Sequence, residues 1–538
     1  MKLNEKKEGM RAQAHENYMG GPSYDLSPFA RLYVITTSCF FGEKGYYEGR
    51  RCKASHDFAR HLQNMFGSFG EEFDAMLAKD SWGEGIVSAI EDSLAYDAEL
   101  TLKYLAWLRK EALIRATPAV GLAVASHNEN VRGSGALKAV ADDILSRLDD
   151  VTNCLAYYLN KYGKPIPNGL KKVLAKRLAN ASEYELAKYS GKNKKVSLLD
   201  VASLTHAHSE GIDKLFKGEL SQANEETQTW EGILSKEGAS KESWEKAIPV
   251  MGHMALLRNL RNFEKHEVDT SLFLDKLVAG VEKGKQLPFR YFSAYQMVRS
   301  AEIRDALEKC LDISIKNLPI FKGNSLILVD NSGSALGTRV SELSKVSVSV
   351  CGNLMGVLTG LTSEKGKIGV FGDEIKYFPV SKDFKGSALQ MLSVVNELGT
   401  TVGQATENGI WLALDEITRR KEKYDRIFIY SDMQAGHGGL YGVGSAYKDF
   451  TWNGQAPYHA YIDVPKLVAR YRKEVSPDCK LYSVQIGGYS DSIFPELYPN
   501  TCLLAGWSTE LLRFAHMFEN NPMSVEAMFR EKLGVPKK

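Results

Sequence analysis

The chain has 538 residues, 44% hydrophobic and 25% charged, with a formal net charge of +2, which suits a globular protein of more than one domain and assigns no partner through global charge. No run of eighteen apolar residues offers a membrane span, and Met1-Lys-Leu-Asn-Glu-Lys-Lys-Glu8 lacks the apolar stretch of a secretory signal. Seven cysteines, without C-x-x-C spacing and mostly in apolar surroundings (Cys154, Cys310, Cys351, Cys502), read as reduced, buried thiols of a cytoplasmic protein, not as disulfides or a structural zinc site.

Residues 1–15 are polar, Asn17 to Tyr24 form a turn-rich entry, and Leu26 to Phe41 are apolar and aromatic. Apolar residues then recur at three and four spacing up to the region of residue 315. The pattern predicts helices over Ala95–Glu111, Leu137–Lys161, Leu170–Ala179, Trp244–Phe263 and Leu272–Val281, with breaks at Pro118, Pro165, Pro167, Pro249 and Pro288. Helices of that length joined by short loops suggest stacked pairs rather than one bundle, although no repeat of fixed period is visible.

The texture changes after Pro319-Ile-Phe-Lys-Gly323, so a boundary near Ile320 separates a helical part, 1–320, from an α/β part, 321–538. Strands are predicted at Leu326–Val329, Lys367–Phe371, Arg426–Tyr430, Lys480–Ile486 and Thr501–Ala505, and Glu374–Val380 can pair with the second of them. Helices are predicted at Leu343–Leu361, Ser387–Leu398, Gln404–Arg420, Val464–Val475 and Thr509–Glu519. This alternation implies a doubly wound parallel sheet. Gly436–Tyr461 reads as a long loop at its carboxyl edge.

The first of these strands runs straight into Asp330-Asn-Ser332-Gly-Ser334. Open α/β sheets bind ligands where strands end, and these side chains can turn three hard oxygens toward one point, as magnesium requires. Asp432 ends a second buried strand, and Thr400 precedes a helix on the same edge, with Thr401 as the alternative. The expected ligand set is therefore Asp330, Ser332, Ser334, Thr400 and Asp432, with a position left open for an acidic group from a partner. The competing reading is that the serines cap the next helix and Asp432 a turn.

Enzyme signatures are missing. There is no phosphate-binding G-x-x-x-x-G-K-[ST] loop and no G-x-S-x-G elbow. Ser332 stands where a haloacid-type phosphatase needs a carboxylate. A hydrolase using the Asp330 metal would need a base, and His437 is the candidate. His206 and His208 have no third partner and read as structural or surface residues.

Lys161 to Lys195 hold ten basic residues against Glu183 and Glu185. Lys171, Lys172, Lys176, Arg177, Lys188, Lys192, Lys194 and Lys195, with Tyr184 and Tyr189 interleaved, could neutralise phosphates and stack on bases; the bland alternative is a solvated helix face. Arg258-Asn-Leu-Arg261 is a smaller set that could instead pin neighbouring helices. Arg109 and Arg115, at a helix junction, read as packing residues.

Asn17-Tyr-Met-Gly-Gly, Gly45-Tyr-Tyr47, Arg109 to Pro118, Pro167-Asn-Gly-Leu-Lys171 and Trp244 to Leu260 together resemble a TROVE module. Asp330-x-Ser332-x-Ser334 with Ile429-Tyr-Ser-Asp432 resembles a von Willebrand factor A domain with its metal-ion-dependent adhesion site. The pairing, in this order, resembles the family of the Ro autoantigen and its bacterial relatives. That resemblance implies a HEAT-like helical ring closed by the A domain, which binds small noncoding (Y-like) RNA on a basic outer face and the single-stranded 3′ ends of misfolded RNA in its hole. It further implies a non-catalytic, monomeric scaffold for RNA quality control that can tether an exoribonuclease through RNA. Leu198 stands where some family members carry a histidine. The alternative function is a metal-dependent protein-adhesion module with a protein-binding helical solenoid.

Overall fold

A computed structural model of the chain describes residues 14–17, 22–38, 82–190, 196–220, 228–340, 344–384, 386–405, 407–434, 451–452, 461–489 and 491–536. The chain divides into two compact units, Val87–Lys316 and the combination of Met1–Ile86 with Asn317–Lys538.

The first unit is helical. Its buried centre is the helix Ala116–His127, whose residues from Thr117 to Ser126 are all buried, as expected of a helix apolar on every side. It packs on Ala98–Lys110, Ala136–Ile144 and Leu148–Tyr162. Farther along, Leu198–Thr205 packs on Asn168–Ala179, His253–Lys265 on Phe289–Tyr295, and Leu274–Ala279 on Ala301–Ile315. Helices therefore pair with near neighbours in sequence, the arrangement of stacked helical repeats. Starts are set by polar side chains that accept free N–H groups of the first turn: Asp97, Ser182, Ser197, Ser209, Thr229, Ser240 and Ser300.

Three expected helices are each divided, Leu272–Val281 among them, where Gly280 separates Leu274–Ala279 from Val281–Gly284. Leu137–Lys161 is two helices with Leu145, Ser146 and Arg147 between them. There the Asp150 carboxylate accepts the Arg147 N–H, and Arg177 donates to the carbonyls of Leu145 and Ser146. Trp244–Phe263 is interrupted by a short 3-10 turn, Ile248–Val250, built on Pro249. At the junction singled out in the sequence, Arg109 meets Asp150 at 2.9 Å and Arg115 meets Asp149 at 2.6 Å, so both arginines join helices.

The second unit is built on a six-stranded sheet: β1 (Phe321–Asp330), β2 (Ser363–Phe371), β3 (Ile375–Val380), β4 (Arg426–Ser431), β5 (Lys480–Gln485) and β6 (Thr501–Ala505). The spatial order is β6-β5-β4-β1-β2-β3. Neighbours are parallel except β3, which runs antiparallel on the edge beside β2. Leu326 and Leu328 belong to a core with Trp411, Leu414, Ile429 and Leu467. Ile327 and Val329, on the opposite face, lie against Gly356 of the helix Val348–Leu361. Burial on both faces is why β1 is an unbroken apolar run.

Residues 22–38 precede the helical unit yet pack in the second one. The helix Pro28–Thr37 lies on β6 and on the helix Val525–Leu533. Tyr33 donates to the Ala505 carbonyl at 3.3 Å and accepts the Ala505 N–H at 3.1 Å. Phe29 and Tyr33 both contact the Phe529 ring. Among the described residues, Cys154, Cys310, Cys351, Cys479 and Cys502 are free and buried, and no helix is long and apolar enough to cross a membrane.

Candidate cation site and basic helix faces

The order of strands in the sheet changes direction between β1 and β4, a topological switch point. Asp330 is the last residue of β1, and Asp432 follows β4 directly. Asp330 is 0% exposed, Asp432 1%, Ser332 3% and Ser334 4%. The Ser332 N–H donates to Asp330 Oδ1 at 2.8 Å, the two serine hydroxyls are 3.2 Å apart, and Ser334 is hydrogen-bonded to Asp432. Ser332 does precede the short helix Gly333–Gly337, but its hydroxyl makes no capping bond. Asn331 turns away from the site and exchanges amide hydrogen bonds with Asn353, 2.9 Å each way. Gly333 donates its N–H to the Gln404 carbonyl at 2.9 Å, which fastens the loop to the segment ahead of the helix Gly409–Arg419.

That segment supplies a third carboxylate. Glu407 is buried, and Ser431 Oγ donates to its Oε2 at 2.9 Å. One ligand atom from each of Asp330, Glu407 and Asp432 lies within 4.8 Å of the others. Asp330 Oδ2 and Asp432 Oδ2 are buried without a hydrogen-bond partner among the described residues. Burial, and then the neighbouring Asp432, push the Asp330 carboxyl up to about 7. Burial, followed by the charges of Asp330 and Asp432, holds Glu407 well above the usual carboxylate range. Asp432 is raised by burial, against the lowering effect of its bonds to Glu407 and Ser334. Packed carboxylates with unsatisfied oxygens are costly without a counter-charge. The donors are carboxylates and hydroxyls, so the set fits a hard divalent cation.

The expected ligand Thr400 is exposed at the end of the helix Ala388–Gly399, and its hydroxyl donates to the Glu397 carbonyl at 2.7 Å. Thr401 donates to the Leu398 carbonyl at 2.7 Å and accepts from Lys376 at 2.8 Å. Neither threonine is buried with the carboxylates, although the adjacent Gly399 touches Asn331. The sequence reading missed Glu407 because it placed this residue inside a helix starting at Gln404, where an acidic side chain in the first turn is unremarkable. The available signal was its position, between two sheet strands and just ahead of an apolar helix. His437 and most of Gly436–Tyr461 lie outside the described residues, as do Lys192, Lys194 and Lys195.

In the basic stretch the structure separates the cations by what they already hold. Arg177 is only 15% exposed and is bonded to Glu185 as well as to the carbonyls of Leu145 and Ser146. Lys176 is paired with Asp142 at 2.5 Å, and Lys188 reaches the hydroxyl and ring of Tyr184. The ring of Tyr189 lies under Arg147. Lys171 is half-buried and Lys172 exposed, both on the helix Asn168–Ala179, and neither has a partner among the described residues. Arg258, Arg261 and Lys265 are exposed on one face of His253–Lys265, and Arg258 and Arg261 pin no other helix among the described residues. His206 and His208 are exposed, and Leu198 is buried in the core.

A helical-repeat unit, together with a doubly wound α/β unit carrying a D-x-S-x-S loop at its switch point, defines the fold class of this protein. Residues 220–321 match the TROVE domain. The crystal structure of the Deinococcus radiodurans RO (RSR) protein is similar over 91% of this chain and 99% of that one, with a TM-score of 0.53 and 14% sequence identity. No curated protein sequence matches the chain. Residues 220–321 are thus similar to the TROVE domain, and the chain has the fold of that Ro protein.

Proposed function

We propose that this protein binds RNA and acts as a non-catalytic scaffold. The observation that carries the proposal is the TROVE match over 220–321, which contains Arg258, Arg261 and Lys265 on a solvent-facing helix side. Lys171 and Lys172 add a second set of cations with no partner among the described residues. Phosphates are natural counter-charges for such groups, and helix faces of this kind supply affinity without reading sequence. The ligand is a small noncoding, Y-like RNA on the basic outer face, with single-stranded 3′ ends of misfolded RNA taken into the helical ring. An exoribonuclease is tethered through the RNA, and the setting is cytoplasmic RNA quality control. Lys188, Lys192, Lys194 and Lys195 extend the basic face, while Lys176 and Arg177 hold it in place.

The cation site is proposed to take magnesium, with Asp330, Ser332, Ser334 and Asp432 as its donors. Bound there, the ion supplies counter-charge to the carboxylates. The side chains fix the geometry: Ser332 and Ser334 bridge the two strand ends, and the Asn331–Asn353 pair keeps the loop from turning outward.

RNA that co-purifies with the protein is sequenced, and binding of the recovered species is measured across salt concentrations. Affinity is expected to fall steeply between 50 and 200 mM salt, by roughly 0.7 to 0.9 in log K per log salt for each phosphate neutralised. The double variant Lys171→Glu, Lys172→Glu should weaken binding at least tenfold with an unchanged far-UV spectrum. Salt-independent binding, or a charge-reversed variant with wild-type affinity, would refute the proposal for this face.

A further inference from the structure

We propose that Glu407 is an internal ligand of the cation site and fills the position that an acidic partner would otherwise take. The site is then closed and structural rather than a docking point. This inference rests on the proposal that the carboxylate cluster takes a divalent cation.

Several observations place Glu407 there by construction. Its Oε2 is held by Ser431 Oγ at 2.9 Å, and Ser431 itself accepts the Met433 N–H at 2.9 Å. The backbone on either side is anchored. Gly333 holds the Gln404 carbonyl, and the Gly409 N–H donates to the Gly372 carbonyl at 3.2 Å. A Cβ on Gly409 would stand 2.0 Å from that of Phe371, so the helix start is seated directly on the end of β2. The carboxylate is thereby delivered to within 4.8 Å of Asp330 and Asp432, whose Oδ2 atoms are buried and without partners among the described residues.

Charge balance argues against a further acidic ligand. Two carboxylates neutralise a divalent cation, and a third leaves the assembly negative. A fourth carboxylate, brought by a partner, would meet net repulsion and would have to reach a centre whose Asp330 is 0% exposed. Glu407 also ties the segment before Gly409–Arg419 to the ends of β1 and β4, so the ion would clamp three stretches of chain together.

The test uses the full-length protein with Mn2+ as probe, reading affinity by calorimetry and the number of exchangeable waters on the bound ion by water-proton relaxation. Wild type is expected to bind one Mn2+ that Mg2+ displaces, with few exchangeable waters, and 10 mM acetate (about a thousandfold excess over protein) should change neither reading. Glu407→Gln should lose about tenfold or more in Mn2+ affinity, gain at least one exchangeable water, and become responsive to acetate. Glu407→Asp, which keeps the charge but withdraws the oxygen, should fall between the two. In EDTA, Glu407→Gln should melt no lower than wild type, because the amide keeps the volume of the protonated carboxyl and can still donate to Asp432. Glu407→Gln with wild-type affinity and hydration would overturn the internal ligand while leaving the cation site standing. No Mn2+ binding by wild type would overturn both.

Discussion

Arg177 and Lys172 sit five residues apart in one basic helix, yet the physics gives them opposite work. The Arg177 guanidinium takes three acceptors from elsewhere in the fold, the carbonyls of Leu145 and Ser146 and the Glu185 carboxylate, and it is 15% exposed. Losing the donor to the part-buried Leu145 carbonyl, together with the charge-assisted bond to Glu185, costs about 1–3 kcal/mol. Lys172 is exposed and holds nothing among the described residues, and substitutions of that kind stay within about 0.5 kcal/mol. Urea denaturation should therefore show Arg177→Ala destabilised by about 1–3 kcal/mol and Lys172→Ala at wild-type stability, with RNA affinity reduced in the lysine variant. Equal stability for the two variants would show that Arg177 does not brace the helix junction. Charge counting along the sequence groups these residues together; only their partners separate them.

Among the elements, the helix Val348–Leu361 shows how the sheet governs its cover. Gly352, Gly356 and Gly360 recur every fourth residue along one helix face. A Cβ on Gly356 would fall 2.4 Å from Val329 Cγ1, and one on Gly360 2.3 Å from Val380 Cγ1. Alanine gains up to about 1 kcal/mol over glycine in a helix interior, but overpacking of this kind costs about 1–3 kcal/mol, so the clash wins. Gly356→Ala should lower the melting temperature. Gly85→Ala, in the helix Trp82–Tyr96 with no atom of the described residues in its way, should raise it slightly. A stabilised Gly356→Ala would mean that this helix is not seated closely on β1. The same contrast explains what was legible in the sequence. Leu326 to Val329 could be read as a strand because both faces are buried and every residue is apolar. The division within Leu137–Lys161 could not, because the carbonyls it frees are satisfied by Arg177, 32 residues beyond Leu145. Asp330, Ser332, Ser334 and Asp432 were visible as strand-end residues. Glu407 was not, since it arrives on a crossover whose helix starts later than its apolar pattern suggests.

Across the whole molecule, the net charge of +2 conceals two units with opposite electrostatic needs. The helical unit carries cations without partners among the described residues. The doubly wound unit carries a buried carboxylate cluster that needs a counter-charge. A chain with two compact units need not unfold in one step, and a ligand stabilises the part that binds it by about RT ln(1 + [L]/Kd), near 2.7 kcal/mol at a hundredfold excess over Kd. Calorimetry should therefore resolve the two contributions. Magnesium should raise the transition that carries near-UV signal from the doubly wound unit, where Tyr430, Tyr471 and Tyr482 are buried, and should leave the other where it was. RNA should raise the helical transition, and the rise should fade with salt. Asp330→Ala should abolish the magnesium shift and keep the RNA shift, whereas Lys171→Glu with Lys172→Glu should do the reverse. If Asp330→Ala removed both shifts, the assignment of RNA to the helical unit and of the cation to the sheet would fail. If it removed binding to a protein partner while RNA bound neither unit, the chain would be an adhesion module. The double dissociation is the outcome that the placement of charge in the two units requires.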